Sequence, residues 1–178
     1  GKGLMISTPF AEIAELSEQK FEWAITWLDT NEDSVFSSYC NTVPTPSGGT
    51  HETGFRQAIV RALRDFGDLT GNKRAADINA DDALANSAVM LSVFLRDPQF
   101  QGQTKDRLVS ADATRLTEQA VRDRFDHWLS SDTARATYLL DAAIERAEDR
   151  KRRKKEKEVA RKSATRRLRL PGKLADCT

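Results

Sequence analysis

From Glu148 to Glu158 the chain runs for eleven residues without one apolar side chain, and such a stretch cannot lie in a core whatever secondary structure it adopts. Just before it, Leu140, Ile144 and Ala147 recur at helical spacing, and Ser131 or Asp132 offers an oxygen to cap the first turn. Lys, Arg and Glu are good helix formers. The pattern therefore predicts one helix that packs as far as Ala147 and then leaves the globular body. Pro171-Gly172 is expected to stop whatever precedes it. Residues 150–169 hold twelve Lys/Arg and two acidic residues, a net of +10. The totals are 28 basic and 27 acidic, so the rest holds 16 and 25, a net of −9 that the overall +1 conceals. The chain reads as an acidic body carrying a basic rod.

Within the body the hydrophobic period changes twice. Phe21, Trp23, Ile25 and Trp27 alternate with Glu22, Ala24 and Thr26, which predicts a strand with one face on the core. Asp29-Thr30-Asn31-Glu32-Asp33 reads as a turn, and Val35 to Val43 as a second strand forming a hairpin with the first. Pro44-Thr45-Pro46-Ser47-Gly48-Gly49 ends the ladder. From Thr50, a candidate N-cap, Phe55, Ile59, Leu63, Phe66 and Leu69 mark a helix that Gly71-Asn72 terminates. Residues 72–87 are polar, with one helical turn expected near Ala80 to Ala85. The run Val89 to Leu95 predicts a central strand buried on both faces, reached by a strand-helix-strand connection. After a loop holding Pro98 and Gly102, Leu116, Ala120, Val121, Phe125, Trp128 and Leu129 mark another helix.

Several chemistries lack their residues. The chain has two histidines, His51 and His127, and no His/Cys/Asp/Glu cluster at metal-ligand spacing, so no metal site is expected. Cys40 and Cys177 lack CxxC spacing and suggest a reducing, cytoplasmic setting. No run of eighteen apolar residues predicts a membrane span. Gly71-Asn72-Lys73 lacks the context of a P-loop, and Cys40 with His51 has no orienting third group. No catalytic residue is assigned.

Three segments, in order, resemble the ATP-binding B subunits of bacterial type IIA topoisomerases: SYCNTVPTPSGGTHETGF at 38–55, PQFQGQTKDRL at 98–108 and LPGKLADC at 170–177. The charged helix running into LRLPGKLADC looks more like the topoisomerase IV branch than the gyrase branch. The resemblance implies an α/β (α+β) transducer domain like the second domain of ribosomal protein S-five, with a left-handed βαβ crossover and a long C-terminal helix. It divides the chain into a linker from a GHKL ATPase domain (1–20), the transducer (21–131), the basic helix (132–169) and the connection to a Toprim domain (170–178).

By the same resemblance, Gln103 and Lys105 belong to the triplet that reaches the γ-phosphate of ATP in the neighbouring domain. ATP and magnesium serve the intact enzyme, and none is expected to bind this fragment alone. The implied partners are DNA, the A subunit in an A2B2 heterotetramer and a second B subunit. The chain by itself is expected neither to hydrolyse ATP nor to cut DNA. Gly48 to Glu52 read first as turn, cap and helix start, with a contact to the nucleotide domain or DNA as the other reading. Arg150, Lys151, Arg152, Arg153, Lys154 and Lys155 are either a solvated helix surface or part of the lining of a DNA cavity, where charge density is enough. The alternative from another class is a stand-alone nucleic-acid-binding or interaction module whose basic helix is its active feature.

Overall fold

The alternation of large apolar residues becomes strand β2 (Gln19–Trp27), whose Phe21, Trp23, Ile25 and Trp27 are all buried. The computed structural model describes residues 9–28 and 33–176, the last eight of them as backbone only. Around β2 lie β1 (Phe10–Leu16), β3 (Val35–Cys40), β4 (Val43–Pro44) and β5 (Ser87–Phe94). The helices are α1 (Thr50–Leu69), α2 (Ala80–Leu84), α3 (Ala111–Ser131) and α4 (Thr133–Asp176), with a 3-10 turn at Lys73–Asp77.

The sheet order is β1-β2-β5-β3-β4, which corrects the expected hairpin between the second and third strands. β5 lies between them, antiparallel to β2 over eight residue pairs and parallel to β3 over six. An apolar strand gains most from the centre, where both edges are hydrogen-bonded and its inner face is covered. The two hairpins that do form, β1–β2 and β3–β4, turn through Ser17-Glu18 and Asn41-Thr42, each a pair of positive-φ residues. Residues 10–16, 19 and 20, expected to lie in a linker over 1–20, thus belong to the sheet, with Ser17-Glu18 as their turn. The acidic turn expected at 29–33 lies outside the described residues except for its last position.

β5 is buried on one face, not two: Leu91 and Val93 are fully enclosed while Met90 beside them is 52% exposed. The reason is that α1 and α3 pack on the same side. Phe36 meets Phe55 of α1 edge-on, and Trp27 stacks on Phe125 and Trp128 of α3, with Phe10 of β1 against the same pair. The opposite sheet face carries Ala24, Ser37, Ala88 and Ser92 and has no helix over it among the described residues.

Thr50 is not the cap of α1. Gly49 holds that position, and the Thr50 hydroxyl is buried without a partner among the described residues. At the other end Asn72 N–H donates to Gly67 O and Gly71 N–H to Asp68 O, the paired bonds of a Schellman stop, with Gly71 at φ +75°. α4 begins as predicted, Asp132 accepting from the Arg135 amide, and buries Leu140, Ile144 and Ala147. Its expected stop at Pro171-Gly172 is overturned: the helix continues to Asp176. Proline deletes one amide from the ladder, and Leu170, Lys173, Leu174 and Ala175 around it are favourable helix residues. No helix among the described residues is long and apolar enough to cross a membrane.

Candidate functional site

Lys105 and Gln103 lie at the tip of a projecting loop. Its two legs are joined by Gln101 N–H to Arg107 O (2.9 Å) and Val109 N–H to Gln99 O (2.8 Å), with Phe100 bridged to Leu108. Residues 101–105 are all exposed. Lys105 has φ +57°, and its ammonium is 6.0 Å from the Phe100 ring centroid. No ion pair holds Lys105 among the described residues, so its charge remains available to an anion brought to the tip.

Beside the loop, the Gly48 to Glu52 segment forms a buried polar network. Ser38 Oγ donates to Glu52 Oε1 at 2.6 Å and lies 2.6 Å from Thr45 Oγ1, which is 3.0 Å from His51 Nε2. His51 is fully enclosed, and burial pushes its imidazole down to about 4. Its Nδ1 has no partner among the described residues. A neutral ring with its proton on Nε2 leaves an acceptor unpaired there and spares a donor. This geometry favours the structural reading of the segment: His51 faces the interior.

The six basic residues singled out at the start of the rod do not act alike. Arg150 turns back on the body, donating to the Asp82 carboxylate at 3.0 Å and to Asp77 O at 3.0 Å. Lys151 pairs with Asp77 at 2.7 Å and holds that carboxyl below its usual range. Arg152 pairs along the helix with Asp149. Arg153, Lys154 and Lys155 are exposed and form no ion pair among the described residues. From Lys151 to Leu168 every residue of α4 is exposed, so Arg150 and Lys151 are its last ties to the body.

The joint that receives Arg150 was not legible in the sequence. Asp82 is 4% exposed and caps α2 by accepting from the Asn79 amide, while the Asn79 side chain accepts from the Asp82 amide. Arg146 donates to Asp82 O. The same short helix takes Trp27 Nε1–H on Ala83 O and the Ser34 and Ser87 hydroxyls on Leu84 O. Strands β2 and β5, the start of β3 and helix α4 therefore meet at one turn of helix. Asn79 and Asp82 at capping-box spacing were the only available signal, and the box is usually read with Ser/Thr and Glu/Gln.

Comparison with known proteins bears on these features together. The pattern of the DNA gyrase B family matches residues 2–159. The B subunit of DNA topoisomerase 4 from Bartonella bacilliformis is 57% identical over 157 residues, covering 88% of this chain and 22% of that protein. Its counterpart in Caulobacter vibrioides is 50% identical over 183 residues, covering 99% of this chain and 26% of that protein. The chain thus spans about a quarter of these relatives' length. Among solved structures, the topoisomerase IV ATP-binding domain of Francisella tularensis aligns with TM-score 0.73 at 28% identity, over 83% of this chain and 41% of that one. The 43K ATPase domain of Thermus thermophilus gyrase B aligns with TM-score 0.75 at 26% identity, over 86% and 41%. The chain is a mixed α/β body ending in a long helix, and a pattern match over residues 2–159, most of its length, shows that it belongs to the DNA gyrase B family.

Proposed function

We propose that this chain is the transducer of a topoisomerase 4-type B subunit, converting ATP binding in a neighbouring GHKL domain into movement of α4 during DNA strand passage. The high identity to relatives named as topoisomerase 4 B subunits favours that branch over gyrase. The observation that carries the reading is the placement of Lys105: a cation with no ion pair among the described residues, at the tip of a loop whose base is bonded into the body. An ammonium on a flexible stem pairs with phosphate oxygens only when they are present. Triphosphate then favours the closed arrangement through a contact that the open one lacks. Gln103 shares the tip and supplies a neutral donor and acceptor.

ATP and magnesium would be held by the neighbouring domain, with this chain contributing Lys105 and Gln103 from outside. The A subunit, in an A2B2 assembly, a second B subunit and DNA complete the proposed machine, which works in the cytoplasm. On the rod, Arg153, Lys154 and Lys155 are free to meet phosphate, whereas Arg150 and Lys151 serve the joint. The second reading, a nucleic-acid-binding module acting alone, draws on the same exposed rod.

The test is DNA-stimulated ATP turnover and decatenation by the full-length B subunit assembled with its A subunit. Lys105→Ala is expected to lower turnover roughly a hundredfold, on the scale of losing one donor to developing charge, with nucleotide binding largely kept. Unchanged turnover and strand passage would remove the sensor role and leave the rod as the active feature.

A further inference from the structure

The loop that carries Lys105 does not rise from the body on its own two legs. Its descending leg is paired a second time, on its outer side, to the turn that precedes α1. Ser47 N–H donates to Asp106 O at 2.9 Å, Leu108 N–H to Gly48 O at 3.1 Å and Thr50 N–H to Leu108 O at 3.0 Å. Arg107 adds a side-chain bond, Nη1 to Ser47 O at 3.1 Å, and the Leu108 side chain is fully buried. The first of these bonds falls on Asp106, the residue next to Lys105. Lys105 is thus the first residue of the tip beyond a triple-stranded seat.

The seat makes a demand that one residue type meets. Gly49 has φ +147°, and a Cβ added there would lie 2.4 Å from Leu108 O and 2.7 Å from Leu108 N, the two atoms that make the bonds. Any side chain at 49 drives the leg away from the turn. Behind the turn stands the buried hydroxyl network: Thr45 N–H donates to Ser38 O of β3, Gly48 N–H to Thr45 O, and Ser38 Oγ to Glu52. Mechanical continuity runs from the sheet through Thr45 and Gly48-Gly49 to Leu108 and the tip.

We propose that Gly49 and Arg107 are positioning residues for Lys105: the turn at 47–50 is a seat that fixes the direction in which the loop presents its ammonium. This rests on the reading of Lys105 as a triphosphate contact. Reacting groups misplaced by about 1 Å lose up to about a hundredfold in rate, so a shift of the leg is felt at the tip without any residue of the seat touching nucleotide. The seat therefore acts through the tip it orients, Lys105 first and Gln103 beside it, and not by its own contact with nucleotide.

The experiment is a pair of double-mutant cycles in the full-length enzyme with its A subunit, reading kcat and KM for ATP. Gly49→Ala and Arg107→Met are each made with Lys105 present and with Lys105→Ala. Arg107 is exposed, so its methionine variant keeps the stem and the fold even if Gly49→Ala does not accumulate folded. Both are expected to lower kcat, Arg107→Met by a few-fold and Gly49→Ala by roughly tenfold or more, with thermal unfolding of the Arg107 variant unchanged. In the Lys105→Ala background each should change kcat by clearly less than it does with Lys105 present, since the charged group they position is gone and only Gln103 remains at the tip. Full, multiplicative losses in that background would overturn the positioning role while leaving Lys105 as a sensor. A Lys105→Ala enzyme with normal turnover would overturn both readings.

Discussion

Replacing Asp82 tests whether the base of α4 is held as described, because one carboxylate serves two elements. In Asp82→Ala the Asn79 amide loses its acceptor and Arg150 loses its carboxylate, while the Arg150 bond to Asp77 O and the Arg146 bond to the main-chain oxygen at 82 survive. Losing the capping acceptor costs about 1–2 kcal/mol. The ion pair joins a carboxylate 5% exposed to a guanidinium 42% exposed. It is therefore discounted to about 1 kcal/mol for screening. The total is about 2–3 kcal/mol, or a fall in Tm of roughly 5–10 °C for a chain of this size. Asp82→Asn keeps an oxygen for the Asn79 amide and loses only the charge, so about 1 kcal/mol is expected. Urea unfolding of Asp82→Ala, Arg150→Met and the double variant should give a coupling energy near about 1 kcal/mol. Additive losses, or equal losses in the alanine and asparagine variants, would refute the joint.

Three further outcomes follow from the geometry. His51 titrates near 4 when folded and 6.5 when free, so its folded pKa is depressed: its contribution is complete above 6.5 and is lost as pH falls towards 4. Between about pH 7 and 5 this amounts to about 2 kcal/mol of stability, which His51→Gln should remove from the pH dependence of the urea midpoint. Gly54→Ala would gain helix propensity in an open helix, but its Cβ would lie 2.3 Å from Thr114 O of α3, so a loss of roughly 1–3 kcal/mol in urea unfolding is expected; stabilisation would show that the α1–α3 contact is looser than described. The proposed contact of the rod with DNA predicts binding that weakens with salt, and changing Arg153, Lys154 and Lys155 together to Gln should reduce the log-log salt slope by about 0.9 for each residue that meets a phosphate; an unchanged slope would show that the three face only solvent.

What the sequence disclosed depended on periodicity. β2, α1, β5 and α3 were legible because large apolar residues repeat at two or at three to four, and the departure of α4 from the body followed from its apolar-free run. The strand order was not, because nothing in Val89 to Leu95 says that it will separate β2 from β3. Both hairpin turns escaped notice because Ser17-Glu18 and Asn41-Thr42 hold positive φ without glycine. The loop tip at Gln103 and Lys105 came from resemblance, since an exposed lysine has no physical signature in sequence. The joint at Asp82 was hidden in a polar stretch, because its meaning depends on Arg150, 68 positions later.

The central strand of this sheet is also the last of the five to be made. Two hairpins, β1–β2 and β3–β4, are complete in sequence by Pro44, yet neither bonds to the other; both bond to β5, which ends at Phe94. During synthesis, at roughly 5–20 residues per second, the hairpins therefore wait several seconds with open edges and a bare apolar face. An isolated hairpin is marginal in water, so assembly must be late and cooperative, nucleating when β5 inserts. Mutations in β5 should slow folding more than they speed unfolding, whereas mutations on the outer strand β1 should do the reverse.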